Sequence, residues 1–151
     1  MTVHGSYTYE DVEISKAQVS ALEDSRLPIT PKHRGTVGLL VKLPYWLEAG
    51  YNANIVGKRG LSNDFTHKAS RLDSYATHDM HIALRPKLGD QVEGAITFAV
   101  RNITAKEYSE FGAVSFFGPV GEDPGPNGLF ESFFPAPKRT WEVGFVLTVR
   151  R

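Results

Sequence analysis

The sequence predicts an all-β chain: an antiparallel meander of about six long amphipathic strands, of the kind that crosses a bilayer as part of a β-barrel. Three observations predict it. Stretches of about ten residues alternate large apolar side chains with small or polar ones, and side chains alternate across a strand. The connections between these stretches alternate long, short, long, short, long, as in barrels with tight turns at one rim and loops at the other. The outward positions proposed for the six stretches carry no Asp, Glu, Lys or Arg, whereas the opposite side is mostly Gly, Ala, Ser, Thr and Asn with scattered charges. A soluble sheet would solvate that second side with more Lys and Glu. A wide, wet barrel interior suits small and polar groups.

Taken in order, the first strand runs from about Val3 to Glu13, with Val3, Gly5, Tyr7 and Tyr9 on one side. A polar connection, Ile14 to Arg34, carries Pro28 and Pro31. The second strand, Gly35 to Leu43, aligns Val37, Leu39, Val41 and Leu43. The tight turn Pro44-Tyr45-Trp46 leads into the third, where Leu47, Ala49, Tyr51, Ala53 and Ile55 alternate with Glu48, Gly50, Asn52 and Asn54. After a second polar stretch, Gly57 to Asp73, the fourth strand spans about Ser74 to Arg85. It sets Met80, Ile82 and Leu84 against Asp79, His81 and Ala83. A short turn, Pro86 to Gln91, precedes the fifth strand, Val92 to Ile103, with Ile96, Phe98 and Val100 on its apolar side. The longest connection, Thr104 to Arg139, is rich in Gly, Pro and Phe and is expected to be a loop. The closing strand, Thr140 to Arg151, is the clearest: Trp141, Val143, Phe145, Leu147 and Val149 share one side. Its length matches the roughly 9–11 residues a tilted strand needs to span a bilayer. Tyr45 and Trp46 at a short turn, and Trp141 toward the other rim, fit interfacial aromatic belts.

The 151 residues suffice for one domain, and no linker or composition shift divides them. Lys+Arg and Asp+Glu are both 17, which leaves no nucleic-acid footprint. Apolar runs are too short for a transmembrane helix. The absence of cysteine removes disulfides, thiol chemistry and thiolate-bound zinc. No secretory leader follows Met1.

Five short motifs at the strand boundaries carry a family likeness. They are Leu27-Pro28-Ile29-Thr30-Pro31-Lys32-His33-Arg34-Gly35, Asn54-Ile55-Val56-Gly57-Lys58-Arg59, Leu72-Asp73-Ser74-Tyr75-Ala76-Thr77-His78-Asp79-Met80, Asn102-Ile103-Thr104-Ala105-Lys106-Glu107-Tyr108 and Phe134-Pro135-Ala136-Pro137-Lys138-Arg139-Thr140. In this order they resemble the C-terminal part of TonB-dependent outer-membrane receptors. The resemblance covers nearly the whole chain, residues 1–151. It implies the last strands and three external loops of a barrel of roughly 22 strands, in the bacterial outer membrane, with outer-membrane lipid around it. It implies uptake of a scarce nutrient such as an iron siderophore, without enzymatic activity. The other partners it implies are the remaining strands and the plug of the same receptor, and TonB, engaged through an N-terminal part absent from this chain. Such a chain is expected to be a fragment or a truncated product. The family commonly ends on an aromatic residue, where this sequence reads Val149-Arg150-Arg151.

Catalysis finds no support in the residues. A nucleophile elbow and a His-Glu-x-x-His pair are both missing. His78 and His81 are three apart and point to opposite sides of a strand, while Asp79 and His81 share a side as a polar pair. No cofactor is expected. Ligand binding is the expectation for the last long loop, where Phe116, Phe117, Phe130, Phe133 and Phe134 stand among Gly and Pro as candidate contacts for a small molecule such as a metal chelate. Packing of these rings against neighbouring loops is the competing reading. His33, Arg34, Lys58, Arg59, His67, Lys68 and Arg71, in or beside the other loops, are either solvated or placed to attract an anionic chelate or lipopolysaccharide phosphates. The alternative for the chain as a whole is a soluble all-β ligand-binding module with an internal core.

Overall fold

The structure, a computed structural model, describes the chain except residues 17, 19–21, 24, 66, 67, 87, 88, 90, 118–122, 126, 127, 150 and 151. It is all-β, and among the described residues no helical element occurs. Six strands form one antiparallel sheet: β1 (Thr2–Tyr9), β2 (His33–Leu43), β3 (Leu47–Val56), β4 (Tyr75–Leu84), β5 (Val92–Arg101) and, after a long excursion, β8 (Thr140–Val149). Their order in the sheet is their order in the chain, the meander that the alternating connections predicted.

The excursion between β5 and β8 is the departure from expectation. Rather than a loop, it holds a separate antiparallel hairpin, β6 (Ser109–Ser115) and β7 (Phe130–Pro135). Its alternation is short, and Gly and Pro around it mask the period.

Strand ends differ by a few residues from those read in the sequence, for local reasons. β1 stops at Tyr9, and the last bond of the pairing is from the Glu10 N–H to the Lys32 carbonyl. Beyond it, within the connection to β2, Glu13 and Arg26 form an isolated antiparallel bridge. β5 stops at Arg101 because Asn102 adopts a φ of 50°, outside the extended range, and gives its N–H to the Asp79 carboxylate.

The register makes the two faces of the sheet concrete. One row across it reads Val3, Leu39, Tyr51, Met80, Val100, Trp141, and a second reads Leu43, Leu47, Leu84, Ile96, Phe145. No Asp, Glu, Lys or Arg occupies any position of that face, and most of its large side chains are exposed, Phe145 to 86%. The opposite face is polar, and it uses glycine for room. His4 lies over Gly38 and His81 over Gly50, where a Cβ would come within 2.2 and 2.0 Å of the rings.

The sheet therefore has no core of its own large apolar residues. The buried apolar cluster, Leu61, Leu72 and Val114 with Ala69 against it, sits among the long connections. All three long connections open at one end of the sheet, and the turns 44–46 and 85–91 at the other.

Candidate functional site: the long-loop rim

Local chemistry explains how the rim is built. Asn102 closes the turn after β5: its amide Oδ1 accepts the Lys106 N–H at 3.0 Å and its Nδ2 donates to the Lys106 carbonyl at 2.9 Å. Asn tolerates the left-handed backbone at this position better than most residues. That turn delivers Tyr108 onto Tyr75 at the start of β4, with ring centroids 4.0 Å apart and planes 27° from parallel. Arg59 lies over the Tyr75 ring at 5.3 Å and donates through Nη2 to the carbonyls of Ser109 and Glu110 at 2.9 and 2.8 Å. Arg139, before β8, donates to the Ile103 carbonyl at 2.5 Å. The motifs at the strand boundaries are thus the parts that fasten the rim together.

This fastening holds the β6–β7 hairpin against the 57–74 connection. Ser62 runs parallel to β6, donating to the Gly112 carbonyl and accepting from Val114. Leu61, fully buried, and Leu72 fill the space beside Val114, and the Ser70 N–H is bound by Glu131 of β7 at 2.8 Å. Gly112 is required here, since a Cβ would come within 2.6 Å of Leu61 Cδ2 and 3.0 Å of the Ser132 carbonyl.

The five candidate phenylalanines take three different places. Phe130 and Phe134 share one face of the hairpin with Phe111, and the Phe111 and Phe134 rings meet at 5.5 Å. Phe133 lies on the other face, opposite Gly112. Phe116 and Phe117 follow β6 directly and are the most exposed, at 77% and 90%. A turn fixes their backbone, in which Ser115 Oγ donates to the Phe117 carbonyl and accepts the Phe117 N–H. Gly118, Pro119, Gly121 and Pro126 of the same loop, and His67 of the preceding one, lie outside the described residues.

On the polar side of the sheet a recess of about 330 Å³ opens below the hairpin, among Asn54, Tyr75, Asp79, Asn102, Tyr108 and Thr140. Burial and the neighbouring Glu110 carboxylate push the Tyr108 phenol up to about 12, so it stays neutral and donates to Glu110 Oε1 at 3.3 Å. Asp79 spends both oxygens on Asn102 and Asn54, and His81 lies over Gly50 on the same face. His78 faces the other way, against the Tyr51 hydroxyl, so the two histidines diverge as their spacing requires. Among the described residues no three His, Asp or Glu side chains converge on a metal position. Sequence reading did not find the Arg59–Tyr75–Tyr108 stack, because its partners are up to 49 residues apart and no local period marks them.

No protein-family model and no curated protein matches the sequence. Solved structures do match in three dimensions. The ferric citrate transporter FecA in its unliganded form superposes with a TM-score of 0.68 at 16% identity, over 96% of this chain and 20% of that one. The ferric-catecholate import receptor Fiu of E. coli K12, in a closed form, superposes with a TM-score of 0.62 at 18% identity, over 97% of this chain and 18% of that one. The fold is shared with these transporters. The chain spans about a fifth of the length of each.

Proposed function

We propose that the chain forms consecutive wall strands of a TonB-dependent receptor in the bacterial outer membrane, within a barrel of roughly 22 strands, and takes part in uptake of a scarce nutrient rather than in catalysis. The observation that carries this reading is the uncharged apolar face, continuous across all six strands of the sheet. Hydrocarbon is the environment in which such a face is stable without a second layer over it. The superposition on FecA and Fiu supports the same reading. The edges of β1 and β8 carry unpaired backbone groups, which in a membrane must be met by further strands of the same barrel. A plug and TonB belong to the same proposal, outside these 151 residues. At the long-loop rim, Phe116 and Phe117 are the exposed contacts for a small ligand, a metal chelate in this reading, with Phe130, Phe133 and Phe134 behind them on the hairpin.

Trp46 and Trp141 mark the two rims and test the proposal directly. After refolding with phospholipid vesicles, both tryptophans are expected to be quenched by brominated acyl chains, and the chain to require detergent or lipid to stay dispersed. A monomer that remains soluble in plain buffer and unfolds cooperatively there would instead establish the soluble-module reading.

A further inference from the structure

The seam between β4 and β5 differs from its neighbours in the sheet. β2 and β3 pair from Arg34–Val56 to Leu43–Leu47, and β3 and β4 from Leu47–Leu84 to Val56–Tyr75. β5 and β8 likewise pair along their whole lengths. Among the described residues, β4 and β5 pair only from Met80–Val100 to Leu84–Ile96. The long-loop half of β4, Tyr75 to Asp79, therefore has no strand paired to it on the β5 side. The cause is Asn102, whose φ of 50° turns the chain out of the ladder directly after Arg101.

Two contacts stand in for the missing ladder. The Asp79 carboxylate accepts the Asn102 N–H at 2.8 Å, and the His78 carbonyl accepts the Ile103 N–H at 2.8 Å. Asn54 of β3 holds the other Asp79 oxygen at 3.4 Å. At the short-turn end the fastening is backbone again, from the Gly94 N–H to the Pro86 carbonyl at 3.1 Å. The sheet is also hollow on both faces beside the rim end of this seam. On the apolar face a recess of about 240 Å³ lies among Met80, Ile82, Phe98, Val100, Ile103 and Trp141. On the polar face lies the recess of about 330 Å³ that takes in Thr77, Asp79, Arg101 and Asn102. Asp79 and Met80 are consecutive residues in opposite linings, and so are Arg101 and Val100. Only the seam separates the two recesses. Its polar side offers freed backbone groups the water that hydrocarbon would deny them.

We propose that the wall parts along this seam from its long-loop end, with the bond from Asn102 to the Asp79 carboxylate as the latch. Parting joins the two recesses and opens a passage from the polar face to the apolar one. The seam and its latch belong to the sheet alone. The meaning of the passage, a side opening from a barrel interior toward the surrounding lipid, rests on the proposed function.

The test is residue-resolved hydrogen exchange on the full chain, in phospholipid vesicles and in detergent micelles. Loss of a hydrogen bond to a carboxylate should raise the parted population about tenfold or more. In Asp79→Ala the amides bonded across the seam, over Met80–Leu84 and Ile96–Val100, are therefore expected to exchange faster together by that factor. Those bonded between β2 and β3 should keep the rates of the parent chain. Asp79→Asn, which retains an acceptor oxygen, should show a smaller rise. The chain has no cysteine, so His81→Cys with Ala99→Cys, opposite one another across the seam, gives a single disulfide lock. Oxidation should return the seam amides of Asp79→Ala to parent rates, and reduction should release them. A rise confined to the Asn102 amide would mark a local turn bond and overturn the latch. An equal rise between β2 and β3, or seam amides that stay fast in the oxidised form, would overturn it as well. Failure to enter vesicles would remove the membrane reading, and the rates in micelles would still decide the latch.

Discussion

Tyr108 shows how one side chain reports on the rim. Its ring is stacked on Tyr75, and its hydroxyl points to the Glu110 carboxylate. Ionising it would set a phenolate beside a carboxylate in a partly desolvated place, which is why its pKa rises from 10 to about 12. A raised folded-state value means that the folded chain holds this proton more tightly than the unfolded chain. The associated stability is complete below pH 10 and is lost as pH rises toward about 12. In an alkaline titration followed by phenolate absorbance, a component ionising near pH 12 is expected to vanish in Tyr108→Phe. The variant should also lose less rim stability than the parent chain across that pH window. Retention of the late-titrating group in Tyr108→Phe would move the assignment to another tyrosine.

At the scale of elements, the β6–β7 hairpin is where packing outweighs local pattern. Gly112 lies between Leu61 Cδ2 and the Ser132 carbonyl, and the second of these is backbone that cannot rotate away. Gly112→Val should cost about 1–3 kcal/mol by overpacking, and the loss should be local. Hydrogen exchange is expected to speed up in Ser109–Ser115 and Phe130–Pro135 and to stay slow across β2 to β5. Uniform acceleration would mean that sheet and hairpin unfold as one unit. The same element marks the limit of what the sequence discloses. The six sheet strands were legible because each repeats a two-residue period beside a lipid-ready face, and Val37-Leu39-Val41-Leu43 is enough to place β2. The hairpin was not, because it is held by Leu61, Leu72 and Arg59 from another connection. The Phe130–Phe134 run reads as a loop until Phe111 is brought against Phe134. Likewise Lys58, Arg59 and Arg71 stand out in the sequence as loop cations, but their gathering with Arg26 and Lys32 around one recess required the fold.

For the molecule as a whole, the proposed barrel wall requires that two adjacent residues face different solvents. Phe145 and Val146 are neighbours in the middle of β8, and both are exposed in the sheet, at 86% and 60%. In water, replacing either by lysine would place a charge on an already solvated surface, at a cost of roughly 0.5 kcal/mol or less. In a barrel wall the two sites separate. Phe145 lies in the row with Ile96, Leu84 and Leu47, on the face with no charge, whereas Val146 pairs with Ala95 on the polar face. Phe145→Lys then carries a charge into hydrocarbon and should destabilise the folded form in vesicles by about 2–4 kcal/mol. Val146→Lys points into the wet interior and should stay near neutral. The midpoint of urea unfolding in phospholipid vesicles separates the two outcomes. A large cost for both residues would put the polar face against something apolar. A negligible cost for both would take Phe145 out of the membrane and leave the apolar face without the environment that makes it stable.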